Sequence, residues 1–340
     1  WQDEYDRRTL SAVFKFTEAA QDGMKSVSIL QDVISKETDK PIKEDENVWA
    51  LQNRLSSTNK YEQDYFYENY YKPLMMAVGN LVKAGARYNE LGRNMEDAQD
   101  DILKYLISKH GIERNAHFRE VAAMEARRPY EESIEEIRKA VDNGEITQVN
   151  ADKQIDKLTE QANEAEEKSR IDTITRDYSG LSELYNNKMD FDALAEQYVL
   201  DFESKFDTAD LWNKINAATK MTLRKTYEAG LISRSGYEAT RDMYQYYIPL
   251  RGWSNDVASE MYNYKGQQGV GGRIMKRAKG RKSLAENPLA VIGRMGQDGI
   301  LQANKNRVKQ RLYNLAIGHD TSLLSISKQW YVNEGTKENP

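Results

Sequence analysis

The sequence predicts an all-α fold: a multi-helix body, a protruding antiparallel helical hairpin and a short β element at the C-terminus. Apolar residues recur every three or four positions over most of the 340 residues, as on the buried face of a helix. Six prolines and twenty glycines are too few for a β-sandwich or a disordered chain. The mean hydropathy of −0.82, with 30% charged residues, suits long helices with much solvated surface.

The first predicted unit is an N-terminal helical segment, residues 1–110. Asp45 or Asn47 can cap the second of its helices, because a short polar side chain there accepts hydrogen bonds from free backbone N–H groups. Pro73 is expected to start or kink a later helix. The apolar stripe of the first helix consists of Leu10, Val13, Phe14, Thr17, Met24, Val27, Leu30 and Ile34.

The second unit is the protruding antiparallel hairpin, residues 111–177. The preceding helix is expected to end at Gly111, since glycine readily adopts the left-handed conformation of a helix cap. Two long polar helices then flank a turn in which Gly144 ends the first helix and Thr147 caps the second. The apolar stripe of each helix is thin, so we expect the pair to project from the body.

The third unit, residues 178–320, is the helical body. Strong apolar stripes over residues 191–206 and 211–227 predict two of its helices, and Asn287 followed by Pro288 opens the last long one. Residues 321–340 contain an alternating apolar pattern that predicts the start of a truncated β element. Because no partner strand is evident, we expect the sequence to be a piece of a longer polypeptide.

Within the body, residues 244–253 break the helical pattern. Pro249 has no backbone donor and disfavours the helical conformation of Ile248. The neighbouring side chains are too apolar for a solvated linker, so we expect an extended, partly buried strap laid across helices. Its defining residues are Tyr246, Tyr247, Pro249, Arg251 and Trp253.

Residues 263–283 are glycine-rich and basic, contain no acidic residue, and are expected to form a loop. Together with Tyr262 and Tyr264, such a loop can hold a phosphate backbone and stack bases, which makes DNA or RNA a candidate partner. The alternative is a loop that docks against acidic helices of the same protein. The candidate nucleic-acid-binding residues are Arg273, Lys276, Arg277, Lys279, Arg281 and Lys282.

The candidate metal ligands are His110, Glu113 and His117. Offsets of three and seven place them near one face of a continuous helix, and two imidazoles with a carboxylate can bind zinc. No fourth ligand is evident, and the alternative is an ion-paired helix junction. Carboxylate clusters elsewhere lie among lysines and arginines, as on a solvated helix face. We therefore predict no catalytic residues, no cofactor and no enzymatic activity.

Composition excludes several classes of protein. The absence of cysteine excludes disulfides, thiolate metal sites and cysteine nucleophiles. The net charge of −5 argues against a protein coated all over by nucleic acid and leaves only a local basic patch for that role. The longest apolar stretch, residues 73–82, is too short to cross a bilayer, so no membrane partner is expected.

Several short segments occur in a distinctive order. They read KHGIERN at 109–115, DYSGL at 177–181, YYIPLRG at 246–252, GRKS at 280–283, NPL at 287–289 and KNRV at 305–308. This combination resembles the helical connecting region of the large polyvalent proteins of bacteriophages and of conjugative and other mobile elements. The resemblance covers residues 105–330.

The resemblance implies a region that connects enzymatic modules and carries no catalytic residues of its own. Proteins of that group are thought to enter a new host with the DNA of the element and, in some cases, to act against host defence. We therefore expect a non-enzymatic scaffold or interaction module, with a nucleic-acid-binding module as the alternative. The expected partners are other domains of the same polypeptide, or phage or host proteins, in the bacterial cytoplasm or the virion interior.

Overall fold

A computed structural model of the chain describes residues 24–88, 95–250 and 285–319, together with Leu323. These residues are predominantly helical and include no strand, which confirms the all-α prediction. The helices, in chain order, are α1 (Met24–Thr38), α2 (Val48–Phe66), α3 (Lys72–Tyr88), α4 (Met95–Asp142), α5 (Gln148–Thr173), α6 (Leu181–Leu184), α7 (Phe191–Lys205), α8 (Ala209–Glu228), α9 (Arg234–Arg241) and α10 (Pro288–Gly318). None of them combines the length and the apolar character that a membrane span needs.

Helices α2 and α3 form one continuous rod, because the residues between them, Tyr67–Tyr71, make a π-helical turn. The backbone stays in the right-handed helical region at Tyr67 and at Lys72, on both sides of the junction. Pro73 lies two residues after the end of this turn. Since a proline cannot donate the next helical hydrogen bond, a wider turn before it is one way for a helix to accommodate that loss.

Local hydrogen bonds fix where several helices begin. The side chain of Asn47 accepts from the backbone N–H of Ala50 at the start of α2 (2.9 Å), so Asn47 rather than Asp45 is the cap. Asn287 accepts from the backbone N–H of Leu289 at the start of α10 (3.0 Å). The predicted start of the last helix is therefore confirmed, and its physical basis is the side-chain cap.

Helix α10 is central to the body and packs mainly against α8 and α2. Its Gly296 permits a close approach, since a Cβ atom at that position would overlap the ring of Phe66. The main core around this contact joins the α2–α3 rod to α4, α7, α8 and α10. Its fully buried side chains include Phe66, Leu74, Ile102, Tyr105, Leu106, Leu181, Leu211, Ile215, Ile248, Ile292 and Ile300.

A smaller core joins α1 to the C-terminal end of α10. The buried His319 completes it, with Nδ1 2.8 Å from the hydroxyl of Thr38 and Nε2 3.3 Å from the carboxylate of Glu46. Each ring nitrogen thus has a polar partner, as most buried polar groups do. The apolar members of this core are Val27, Ile34, Val48, Leu312 and Leu315.

Helix α4 runs without interruption for 48 residues, through Gly111 and Pro129. The prediction that Gly111 ends a helix is therefore wrong. Gly111 lies where α4 contacts Leu181, and a Cβ atom there would be 2.8 Å from that side chain. The physical reason for this glycine is thus the close approach of a neighbouring element, not a left-handed cap. The division of the chain at residue 110 stays a prediction.

The C-terminal half of α4 packs side by side with α5. Glu120 pairs with Arg170 (2.6 Å) and Arg127 with Glu166 (2.9 Å), so the sequence separation falls toward the turn, as in an antiparallel pair. Gly144 was predicted to end the first helix, and it lies two residues after the end of α4 with a left-handed φ of 76°. Thr147 precedes α5 as predicted, but its side chain makes no capping hydrogen bond. Among the described elements, α5 packs mainly against α4.

Several predicted features lie outside the described residues. They are the first part of the N-terminal helix, the end of the strap with Arg251 and Trp253, and the basic loop, residues 263–283. The β element, residues 321–340, is also outside except for Leu323. These features stay predictions.

Candidate interaction site

The described part of the strap, residues 244–250, leaves the end of α9 and crosses the body without helical structure. Ile248 and Pro249 are buried, while Tyr246, Tyr247 and Leu250 are half-buried. Ile248, Tyr246 and Leu250 pack with the main core. The segment therefore covers helices with its apolar side chains, and its backbone must find hydrogen-bond partners outside regular structure.

Glu113 on α4 supplies those partners at the start of the strap. Its two carboxylate oxygens accept from the backbone N–H of Gln245 (2.6 Å) and of Tyr246 (3.0 Å). A charged acceptor gives stronger hydrogen bonds than a neutral one. Glu113 thus fixes the strap to α4, one helical turn after His110.

His110 lies beneath the strap with no exposed surface. The edges and faces of two strap rings surround it, with centroid distances of 4.9 Å to Tyr244 and 5.6 Å to Tyr247. Neither ring nitrogen has a hydrogen-bond partner, and the Tyr244 hydroxyl is likewise buried without one. Burial, followed by the nearby Arg114, lowers the pKa of His110 to about 3, and the smaller effect of the Tyr246 backbone acts in the opposite direction. The imidazole is therefore uncharged near neutral pH.

The three sequence-based metal candidates all lie at this contact between α4 and the strap. The ring of His117 is 5.4 Å from that of Tyr244, edge to face. Both oxygens of the Glu113 carboxylate already accept hydrogen bonds from the strap backbone. Within the described ranges, no group of three or more histidine or acidic side chains is arranged to hold a metal ion. The trio instead forms the surface on which the strap lies.

A loop after α5 is organised by the buried carboxylate of Asp177. It accepts from the backbone N–H groups of Ser179, Gly180 and Ser182, and also from the two serine hydroxyls. Burial alone would raise the pKa of Asp177, but the hydrogen bonds from Ser182 and Ser179 outweigh it and hold the pKa below its usual value. The ionised carboxylate therefore fixes this loop beside α4.

Polar side chains of α4 attach the base of the α4/α5 pair to the body. The buried Asn115 accepts from the backbone N–H of Tyr178 (2.8 Å) and donates to Asp192 on α7 (2.9 Å). Arg119 forms an ion pair with Asp192 and donates to the backbone oxygen of Thr173 (3.1 Å). Since these bonds join α4, α5 and α7, they fix the orientation of the α4/α5 pair relative to α7.

A second polar network lies on the other side of the strap. The buried hydroxyl of Tyr105 donates to Glu203 (2.6 Å) and accepts from the indole N–H of Trp212 (2.8 Å). Lys109 pairs with Glu203 (2.9 Å) and lies 4.6 Å from the ring of Tyr246. Burial and the Glu203 hydrogen bond raise the pKa of Tyr105, so its hydroxyl keeps its proton. The sequence does not predict this network, because Tyr105 is 98 residues from Glu203 and 107 residues from Trp212.

The α4/α5 pair presents an acidic surface. Residues 119–173 contain nine basic and fifteen acidic residues, a net charge of −6. Four exposed carboxylates repeat every fourth position along α5, at Asp152, Asp156, Glu160 and Glu164. Residues four apart lie on the same face of a helix, so these groups form one charged row.

Comparisons with known proteins place the chain in no family. No family model matches it, and neither a curated protein nor a solved structure is similar to it at the significance required. The resemblance to polyvalent proteins therefore stays a prediction.

Proposed function

We propose that this chain is a non-enzymatic scaffold or interaction module of a phage or mobile-element polyvalent protein. The α4/α5 pair is its protruding hairpin, and a short β element follows at the C-terminus. The hairpin contacts other domains of the same long polypeptide, or phage or host proteins, in the bacterial cytoplasm or the virion interior. In the same proposal, the protein travels with the DNA of the element and supports evasion of host defence.

The observation that carries this proposal is the one-sided packing of α5. A helix normally contributes its apolar stripe to a core shared with several elements, whereas α5 packs mainly against α4. Two ion pairs, Arg127 with Glu166 and Glu120 with Arg170, join the two helices across a narrow stripe of buried side chains that are mostly alanines. The outer surface of the pair, with exposed Met124 and Val149, is thereby left for a partner.

A photocrosslinking experiment tests this role of the hairpin. A photoreactive amino acid replaces Asp156 or Glu160 on the outer face of α5, or, as a control, the exposed Lys220 on α8. The whole polypeptide is produced in a bacterial host and irradiated. We expect discrete adducts of higher mass from both hairpin positions and none from the control. Adducts that form equally at all three positions, or at none, would contradict the proposal.

The alternative, a nucleic-acid-binding module, depends on the basic residues of the loop at 263–283, outside the described residues. Such binding would weaken steeply with salt and would lose most of its strength when Arg277 and Arg281 are changed to glutamate. The described residues do not include this loop, so its role in binding stays a prediction.

A further inference from the structure

A cleft between α4, α6 and α7, away from the strap, has features of an anion site. Its volume is about 450 Å³, within the usual range of small-molecule sites, about 300–1,000 Å³. Lys104, Lys188 and the rings of Tyr185 and Tyr198 line it, together with Leu184 and Leu194. Neither the function proposed above nor the sequence motifs use this cleft.

The charges in the cleft do not balance. Lys104 and Lys188 form no ion pair with a carboxylate of the described residues, whereas Asp201, the acidic residue of the lining, is paired with Lys205 (3.0 Å). The lining therefore has two lysines against one aspartate, and a further carboxylate, that of Asp101, lies 3.4 Å from the hydroxyl of Tyr198. Uncompensated cations in a concave surface attract and concentrate anions.

Lys104 is held in position rather than free in solvent. Its ammonium group lies 4.5 Å from the ring centroid of Tyr198 and 4.9 Å from that of Tyr185. The hydroxyl groups of Tyr185 and Ser108 form a hydrogen bond (2.8 Å). The hydroxyl of Tyr198 donates a hydrogen bond to the backbone oxygen of Asp101 (3.2 Å). Because both rings are fixed, they preorganise the charge that an anion would meet.

We propose that this cleft binds a phosphomonoester, with the phosphate between Lys104 and Lys188. Lysine is a strong point charge for phosphate, and two lysines match its double charge. The side-chain amides of Asn186 and Gln197 add neutral donors. The cleft is larger than a phosphate ion, and Leu184 and Leu194 offer an apolar surface against which the organic part of the ligand can pack. A free nucleotide or the 5′-phosphate end of a nucleic-acid strand has this chemistry.

Calorimetric titration with AMP, inorganic phosphate and adenosine tests the assignment. We expect one AMP site per chain, weaker binding of phosphate and no binding of adenosine. Lys104→Gln is expected to weaken AMP binding by about tenfold or more, while Lys104→Arg retains most of it. Comparing AMP with a short oligonucleotide, with and without a 5′-phosphate, separates the two sources of the ligand. Preference for either phosphorylated probe supports the proposal.

Two further variants guard against effects on folding. Lys188→Gln changes an exposed side chain in the 185–190 loop and is expected to weaken AMP binding without altering the melting temperature. Lys214→Gln, on α8 outside the cleft, is the control and should bind AMP as the native protein does. Absence of AMP binding, adenosine binding as tight as AMP binding, or native AMP affinity in both Lys104→Gln and Lys188→Gln would overturn the proposal.

Discussion

The buried imidazole of His110 makes the stability of the protein depend on pH. Its pKa is about 3 in the folded protein, against 6.5 in a solvated histidine. Because the folded value is the lower one, this contribution to stability is complete above pH 6.5 and is lost as the pH falls toward 3. Protonation would place a second positive charge beside Arg114, in a site with no exposed surface.

We therefore expect the free energy of unfolding of the native protein to fall by roughly 2 kcal/mol between pH 7 and pH 5 through this residue. The His110→Leu variant cannot titrate and should lose correspondingly less over the same range. Urea unfolding of both proteins at the two pH values, followed by tryptophan fluorescence, measures the difference. Equal losses in the two proteins would show that His110 is not the group responsible.

Glu62 is the centre of a partly buried ion cluster between α2, α8 and α10. It contacts Lys225, Arg307 and the amide of Asn304. Burial by itself would raise the pKa of Glu62, but the bonds from Lys225 and Asn304 outweigh it, so the pKa lies below 4.5. The stability that the cluster contributes is thus present above pH 4.5 and is lost at lower pH.

The Glu62→Gln variant leaves Lys225 without its carboxylate, in a site where its side chain is only 16% exposed. We expect a loss of about 1–3 kcal/mol in the free energy of unfolding at pH 7. The matched control is Glu68→Gln on the same rod, whose exposed pair with Lys72 should be worth less than about 1 kcal/mol. Chemical denaturation of the three proteins compares them, and equal losses in the two variants would refute a structural role of burial here.

Among the elements, α4 depends on a glycine at its contact with α6. In Gly111→Ala the added methyl would lie 2.8 Å from the side chain of Leu181. Overpacking of this kind costs about 1–3 kcal/mol. In contrast, Gly79→Ala on α3 meets no atom within 4 Å and should gain up to about 1 kcal/mol through helix propensity. Opposite shifts of the two melting temperatures are expected, and stabilisation in both would contradict the close contact.

The strap is the element most dependent on one side chain. Glu113→Ala removes the acceptor of two backbone N–H groups, those of Gln245 and Tyr246. Hydrogen exchange at these two amides should become at least about tenfold faster. The control is Glu132→Ala, an exposed residue of α4 paired only with Arg128, which should leave that exchange unchanged. If the strap amides exchange at the native rate in Glu113→Ala, then other contacts hold the strap.

These elements show how far the sequence could be read. Helix starts were accessible, because the cap at Asn47 or Asn287 bonds to a backbone group two or three residues away. The role of Gly111 could not be predicted from the sequence, because it depends on a contact with Leu181, 70 residues later in the chain. The same applies to Glu113, whose partners in the strap are 132 and 133 residues away and are backbone groups with no signature in the sequence.

For the whole molecule, we propose a body with two cores and a two-helix pair attached at its base. Asn115 and Arg119 fix that base through Asp192. Beyond the base, a narrow apolar stripe and ion pairs such as that of Arg127 with Glu166 hold the pair together. Partly exposed ion pairs add little stability to the whole fold. The body should therefore not need the distal part of the pair.

The most direct test removes residues 128–165 and joins Arg127 to Glu166, which are already in contact, through a short glycine–serine turn. We predict that the shortened protein unfolds cooperatively, with a melting temperature within roughly 4 °C of the native value, or about 1–2 kcal/mol. A protein that loses its cooperative transition, or melts far lower, would show that these helices belong to the core of the body and would contradict the account.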